Sequence, residues 1–348
     1  MRLAPSVALA MTLGWFGCAD AEYSIETTAD RVTLQNGVNI KATVVPGEGG
    51  ELSGFSVLFN GEWHELIYRA LDYSGTKGWR GKAQLLWPAT GITLNRHDQK
   101  KTYELEGVEY PMPFHGFAKS HPWRLISHEQ STEFASVTLQ LEGDAETRKY
   151  YPFDFQLQVE YRLGAGKLSL NYRVESSAGN RQDMPFSIGN HITFNAPLIA
   201  GPEPGSLLFE TNLPDLLVRR ADKTFSGKIE PSPYRGRHRL DEIPRRDAAS
   251  LAGKPGMATL TMIDPSGLRL RLAHEASESP SLPAIQFNLW ADTTDGFFSP
   301  EPWVGTQNSL NNGAGLIKLA PGESWQWRVD IIPDLKSLDE DIVQEDTK

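Results

Sequence analysis

The sequence predicts an all-β protein, a large antiparallel sandwich in which residues 22–348 form one domain. Apolar and polar residues alternate with a period of two wherever the sequence is regular, which is typical of strands with one buried face. The connections between these runs are short and rich in Gly and Pro, as expected of hairpins. No stretch has the periodicity of an amphipathic helix, and the 23 prolines would interrupt most helical candidates. A layered α/β design is therefore disfavoured.

The first 21 residues are typical of an export signal. Arg2 precedes an apolar run over residues 7–17 that is too short to span a bilayer, and Ala-Asp-Ala follows at 19–21. Cleavage after this tripeptide would remove Cys18, the only cysteine, so the mature chain could form no disulfide. The alternative is a lipoprotein anchored through Cys18. Either way the sequence predicts an exported protein, periplasmic or extracellular, without a stable membrane span.

Two predicted hairpins show the alternation most clearly. The runs QLQVEYRL (156–163) and KLSLNYRV (167–174) are separated by Gly-Ala-Gly. The runs ATLTMI (258–263) and LRLRLA (268–273) are separated by Asp-Pro-Ser-Gly. Because such short turns reverse the chain, each pair is predicted to be antiparallel.

Composition and charge restrict the partner class. The chain has 348 residues, a formal net charge of −10 and an isoelectric point near 5.4. Nucleic-acid binders usually carry a basic face that neutralises phosphates, so a nucleic-acid partner is not predicted. The densest basic stretch, 235–246, is interrupted by Asp241 and Glu242 and is interpreted as a solvated loop. The oligomeric state is left open.

The motifs of several reaction classes are missing from the sequence. The eight histidines include no pair with metal-ligand spacing on a helix or tight loop, so no metal is predicted. There is neither a Gly-x-Ser-x-Gly nucleophile elbow nor a phosphate-binding glycine loop before a helix, so the common nucleophile and nucleotide-binding signatures are absent. Acid/base chemistry is the class that remains.

Three segments place a titratable residue among aromatic residues, Gly and Pro instead of in plain alternation. Apolar surroundings raise the pKa of a carboxylate and lower that of a histidine, which favours proton transfer near neutral pH. Aromatic faces also suit sugar rings. Taken singly, His115, His191 and Glu301 could each be structural, but their combination favours an acid/base site. The segments are YPMPFHGFAKSHPW (110–123), MPFSIGNHITF (184–194) and FFSPEPWVG (297–305).

In this order the segments resemble the aldose 1-epimerase (galactose mutarotase) family, which carries His-Gly-Phe, Pro-Phe-Ser-x-Gly-x-His-x-x-Phe and Glu-Pro-Trp. The resemblance covers most of the mature chain. It implies a galactose mutarotase-like β-supersandwich that acts on a sugar without metal or cofactor. Further matching segments are LWPATG (86–91), YPFDF (151–155), Gln286 ahead of Leu289-Trp290, and LAPGES (319–324).

The resemblance also implies roles for the three residues. Glu301 is the base that removes the proton of the anomeric hydroxyl, and His191 is the acid that protonates the ring oxygen. His115 is a second histidine that helps to bind or polarise the ring oxygen. The sugar would open to an aldehyde and close on the other face, which interconverts the α and β anomers of a hexose.

The sugar-binding residues implied by the resemblance are Asn95, Arg96 and Gln286. The family has Gly-Arg-x-x-Asn-Arg where this chain has GITLNR, so Ile92 replaces an arginine. Arg96 is equally well interpreted as a surface residue. The aspartate that binds sugar in the family is left open between Asp241 and Asp247.

Three other functions compete with the epimerase. The first is a non-catalytic carbohydrate-binding protein that uses Trp79, Trp87 and Trp303. The second is a polysaccharide lyase or hydrolase, although hydrolysis normally needs two carboxylates and only Glu301 has motif support. The third is an epimerase of a phosphorylated hexose, which would require a convergent Arg/Lys pocket. Export argues against that last substrate.

Overall fold

The computed structural model describes residues 23–69, 82–201, 203–254, 256–278 and 284–335. The predicted signal segment 1–21 with Cys18, and also Trp79, lie outside these ranges, so export and lipid anchoring stay predictions. In the described ranges no helix is long and apolar enough to cross a membrane.

Twenty-six strands are found in the described residues. In the first half of the chain they are β1 (Ser24–Thr27), β2 (Val32–Gln35), β3 (Ile40–Val45), β4 (Glu51–Phe59), β5 (Glu62–Glu65), β6 (Ala83–Leu86), β7 (Thr102–Leu105), β8 (Val108–Pro111), β9 (Arg124–Gln130), β10 (Phe134–Glu142), β11 (Phe155–Gly164), β12 (Lys167–Ser176) and β13 (Met184–Phe186). In the second half they are β14 (Ile188–Ile192), β15 (Phe194–Asn195), β16 (Leu208–Thr211), β17 (Asp215–Arg219), β18 (Phe225–Pro231), β19 (Gly236–Arg239), β20 (Ala249–Gly253), β21 (Ala258–Ile263), β22 (Arg269–Ala276), β23 (Ile285–Asp292), β24 (Phe297–Val304), β25 (Ile317–Leu319) and β26 (Ser324–Asp334).

Two large sheets contain most of these strands. The first has the order β1-β2-β3-β4-β6-β14-β24-β23-β20-β17-β18, with β5 beside β4 and β15 beside β24. The second has the order β19-β16-β21-β22-β26-β12-β11-β10-β9. The pairs β13-β25 and β7-β8 form two small sheets. The pairing between these named strands is antiparallel, so the predicted all-β fold class is confirmed.

Both predicted hairpins are confirmed. Strands β11 and β12 pair up to Gly164 opposite Lys167. The two residues between them, Ala165 and Gly166, have φ angles of 48° and 71°, the left-handed conformation that two-residue hairpin loops need. Strands β21 and β22 pair across the Asp-Pro-Ser-Gly turn.

Helical structure is limited to short segments in the described part of the chain. The α-helix found there covers Ser309–Asn312, which is about one turn. The 3-10 turns cover Ala118–Ser120, Thr147–Lys149, Pro204–Ser206 and Leu240–Glu242. None of these segments is an amphipathic helix, as the sequence predicts.

A hydrophobic core between the large sheets includes residues from Val32 to Ile331. Strand β11 contributes one face, since Leu157, Val159 and Tyr161 are buried while the residues between them are partly exposed. Strands β14 and β24 are buried along their whole length, on both faces. Polar side chains on these two central strands therefore lie inside the protein, which is where the candidate site is found.

Candidate active site

Two neighbouring strands bring His191 and Glu301 together. Strand β14 pairs with β24 through Gly189 opposite Trp303. Alternate residues of a strand share a face, so His191 and Glu301 project to the same side as this pair. The His191 Nε2 atom lies 3.5 Å from the Glu301 Oε1 atom.

The loop after β8 supplies His115. His115 and Gly116 have φ angles of 65° and 70°, so two consecutive residues adopt the left-handed conformation. The His115 N–H donates to the Gly91 carbonyl at 2.9 Å, and the Gly91 N–H donates to His115 Nδ1 at 3.0 Å. These reciprocal bonds fix the orientation of the ring.

The structure thus brings together the three residues that the sequence nominates for catalysis. One side-chain nitrogen or oxygen of each of His115, His191 and Glu301 lies within 4.8 Å of those of the other two, and all three side chains are buried. The rings of His115 and His191 are nearly perpendicular, with centroids 5.6 Å apart.

Opposing effects act on the Glu301 carboxyl. Burial raises its pKa well above the usual value, against the hydrogen bonds and the Arg219 charge. The Asn288 Nδ2 atom donates to Oε1 at 3.1 Å, and the Trp303 Nε1 atom donates to Oε2 at 3.2 Å. These donors stabilise the carboxylate form that a general base requires.

Both histidines are held neutral around pH 7. Burial lowers the pKa of His191 to about 4. Burial, together with the charges of His191 and Lys119, lowers the pKa of His115 well below its usual value. Because His115 Nδ1 accepts the Gly91 N–H, the proton of its neutral ring is on Nε2. His115 is therefore a hydrogen-bond donor through Nε2.

His115, His191 and Glu301 are close enough to one another to be considered as metal ligands. Their hydrogen bonds suit proton transfer better than metal binding. A histidine ligand usually donates its second ring N–H to an oxygen, so that the coordinating nitrogen is bare. In His115 the second nitrogen accepts a hydrogen bond, which leaves the proton on the nitrogen that would coordinate. Both Glu301 oxygens are also occupied by donors.

A pocket of about 230 Å³ opens onto these groups. Its apolar walls are formed by Ile92, Phe114, Trp290 and Trp303. Phe114 is 52% exposed and marks the edge of the pocket. The polar lining includes Asn288, Gln307, Arg219, Lys223, Arg246 and Asp247.

The sugar-binding residues nominated from sequence lie outside this lining. Arg96 is exposed, and its Nε atom lies 3.7 Å from Asp222. The Asn95 side chain accepts the His97 N–H at 3.0 Å within a turn. Gln286 is fully buried, and its Nε2 atom donates to the Gly305 carbonyl.

Among the aromatic candidates, Trp303 lines the pocket, whereas Trp87 does not. Trp87 is fully buried and packs on Phe117 and Phe155, so it is not available for stacking on a glycan. Of the two aspartates left open, Asp247 lines the pocket, and Asp241 forms an ion pair with Arg239 elsewhere.

The sequence did not nominate Asn288, Arg219 and Lys223, and Trp290 is named only as part of a matching segment. Asn288 could have been found, because it lies directly opposite Glu301 in the β23–β24 pair and two residues from Gln286. Arg219 and Lys223 are distant in sequence from the motifs. They reach the pocket because β17 pairs with β20, which pairs with β23.

The family model for aldose 1-epimerase matches residues 30–203, half of the chain. The chain belongs to the aldose 1-epimerase family. The matched stretch of this family member contains His115 and His191, while Glu301 lies beyond it. Protein LacX (plasmid) of Lactococcus lactis subsp. lactis is 26% identical over 254 residues, which are 68% of this chain and 77% of LacX.

Comparison with solved structures shows that this chain has a galactose mutarotase-like fold. A galactose mutarotase-like protein from Clostridium acetobutylicum superposes with a TM-score of 0.73 at 18% identity, over 91% of this chain and 99% of that one. Slr1438 from Synechocystis sp. PCC 6803 gives 0.70 at 22% identity, over 94% and 100% of the two chains.

Lys119 holds the backbone on both sides of His115. Its Nζ atom donates to the carbonyls of Phe114 at 2.6 Å and Gly116 at 2.8 Å, on either side of His115. We expect Lys119→Met to lower kcat about tenfold, because the loss of two charge-assisted hydrogen bonds lets the His115 ring move. Burial lowers the pKa of Lys119 to about 8, so wild type should resemble this variant increasingly above that pH.

A shift of the pH profile separates this role from general destabilisation. The Lys119 charge lowers the pKa of His191 and His115, so its removal should raise both pKa values. Activity should then fall at a higher pH on the acid side of its pH profile, which we call the acid limb. Lys119→Arg keeps the charge and should leave the acid limb in place. A limb that stays in place in Lys119→Met would contradict the electrostatic part of this role.

Proposed function

We propose that this protein is an aldose 1-epimerase that interconverts the α and β anomers of a sugar by acid/base ring opening. The observation that carries the proposal is the buried contact of His191 and Glu301 at 3.5 Å, with His115 beside them. A base and an acid this close can reach two oxygens on one carbon, which is what ring opening at an anomeric carbon requires. The family supplies the reaction class.

The proton transfers balance over one cycle. The Glu301 carboxylate takes the proton of the anomeric hydroxyl while the bond between the anomeric carbon and the ring oxygen breaks. The reactive state of the pair is the one in which its single proton is on His191 and Glu301 is ionised. In that state His191 gives the proton to the ring oxygen and becomes neutral, and the Nε2–H of His115 donates a hydrogen bond to the same oxygen. After the aldehyde group rotates, closure on its other face returns both protons to their original positions, so the cycle consumes no co-reactant.

The pair needs one proton in total, which predicts a bell-shaped pH profile. Below the His191 pKa of about 4 both groups are protonated, and above the raised pKa of Glu301 neither is. Activity should therefore fall below about pH 4 and again on the basic side, far above the usual carboxyl range. The pH dependence of kcat/KM reports both limits.

Asn288→Ala should move only the basic limb of that profile. Asn288 donates to the charged form of Glu301, so its removal should raise the pKa of Glu301 and shift the limb upward by about one pH unit. Asn171→Ala is the matched control, because Asn171 donates to Glu160 on the second sheet instead. A basic limb unmoved in Asn288→Ala would show that it does not report Glu301.

The direct test follows the optical rotation of freshly dissolved α-glucose and α-galactose with the purified protein. We expect the rotation to reach its equilibrium value faster than the spontaneous reaction, in proportion to enzyme concentration. A protein that binds sugars in the pocket without accelerating any of them would be a carbohydrate-binding protein, and the epimerase proposal would be wrong.

A further inference from the structure

The rim of the pocket is cationic in a protein of net charge −10. The Arg219 Nη2 atom donates to Asp247 Oδ1 at 3.0 Å, and Lys223 Nζ lies 3.4 Å from the same oxygen. All three residues line the pocket. One carboxylate thus holds two cations side by side and leaves one positive charge uncompensated.

The third cation in the pocket lining, Arg246, is compensated by carboxylates outside the pocket. Arg245 and Arg246 both donate to Asp292, and Arg246 also donates to Asp295, which makes an electrically neutral group of four. Among the cations that line the pocket, the surplus positive charge therefore belongs to Arg219 and Lys223.

Arg219 connects this rim to the reaction centre. Its side chain is 17% exposed, and its charge contributes to lowering the pKa of Glu301 against burial. The cationic rim and the base are thus close enough to interact electrostatically across one small pocket. At the position where the family resemblance places an arginine, the pocket is lined by the uncharged Ile92.

We propose, on the basis of the epimerase function proposed above, that this pocket selects an aldose with one carboxylate, a hexuronic acid, which Arg219 and Lys223 bind. A guanidinium binds carboxylates through paired N–H donors, and an ammonium adds a compact charge, so together they suit such a group. A neutral hexose has no group that compensates the rim charge. A sugar phosphate carries up to two negative charges near pH 7, one more than the rim balances.

The test compares anomer exchange for three kinds of sugar by exchange NMR at anomeric equilibrium. The probes are glucuronate and galacturonate, their neutral parents glucose and galactose, and glucose 6-phosphate. We expect kcat/KM for the matching uronate to exceed that of its neutral parent about tenfold, the effect of one charge-assisted hydrogen bond. Lys223→Gln should lower the uronate value more than the neutral one, mainly through KM.

Variants make the test specific to the rim. Arg219→Gln should also reduce the uronate preference, with an added loss on all sugars because its charge acts on Glu301. Arg237→Gln is the matched control: Arg237 lies on β19 beside Glu210, outside the pocket lining, so every rate should stay at the wild-type value.

Each pattern of rates has a distinct consequence. If neutral hexoses exchange fast and uronates are not preferred, the charged subsite is refuted while the epimerase function stands. If glucose 6-phosphate is preferred to both uronates, the charge count at the rim is wrong. If no sugar is accelerated, the epimerase function itself is wrong and the subsite falls with it.

Discussion

Glu301→Gln is expected to lower kcat for anomer exchange about 10³-fold at pH 7, within the usual contribution of a general base. Glutamine has nearly the same shape but cannot take the proton of the anomeric hydroxyl. KM should change little, because the substituted group acts on the proton in the transition state. Initial rates from optical rotation over a range of sugar concentrations give both constants.

A matched control for this substitution is Glu160→Gln. The Glu160 carboxylate also accepts a side-chain amide N–H, from Asn171, but on the second sheet and away from the pocket. The Glu160→Gln variant should retain wild-type activity.

The Glu301→Gln variant should also lose about 1 kcal/mol of stability. Glutamine at position 301 can accept through only one atom, so either Asn288 or Trp303 loses its acceptor. If Glu301→Gln folds and retains full activity, another group is the base.

Gly116→Ala is expected to destabilise the fold by about 3 kcal/mol and to abolish most activity, because it combines backbone strain with a steric clash. A Cβ atom there would lie 2.1 Å from the Trp87 carbonyl oxygen, and the φ angle of 70° disfavours a side chain. Trp87 is fully buried and cannot move away easily. The displaced loop would carry His115 with it.

Gly107→Ala separates these two effects. Gly107 has a φ angle of 78° in the turn between β7 and β8, and a Cβ atom there would meet no atom within 4 Å beyond its chain neighbours. It should therefore lose about 1 kcal/mol, the cost of the backbone conformation alone, and keep its activity. Urea denaturation measures both losses. If the two variants are equally stable and equally active, the close contact at Gly116 does not position His115.

Local patterns in the sequence predict much of the fold. The alternation in β11 and β12 determines which face is buried, and the turn between them needs only two residues in the left-handed region. Strands β14 and β24 do not alternate, since both of their faces are buried. His191 and Glu301 are therefore predicted from the motifs on these strands and not from their periodicity.

The sugar-facing part of the site could not be predicted in the same way, because it depends on pairing between distant strands. Arg219 and Lys223 reach the pocket through the pairings of β17 with β20 and of β20 with β23. They are held there by Asp247, a residue left open on sequence grounds. Gln286 is the opposite case, since the sequence nominates it as a sugar ligand but it does not line the pocket. Its side chain satisfies a backbone carbonyl inside the sheet, although its position beside a Leu-Trp pair resembles a ligand position.

Anomer exchange measured by NMR at equilibrium, for wild type beside Glu301→Gln and His191→Asn, shows whether these two residues carry out ring opening. Magnetisation transfer between the α and β anomeric protons needs no pure anomer and reports ring opening and closure alone. We expect fast exchange with wild type for at least one neutral or uronic aldose, and near-spontaneous exchange with both variants. Wild-type exchange at the spontaneous rate for every such sugar would contradict this expectation.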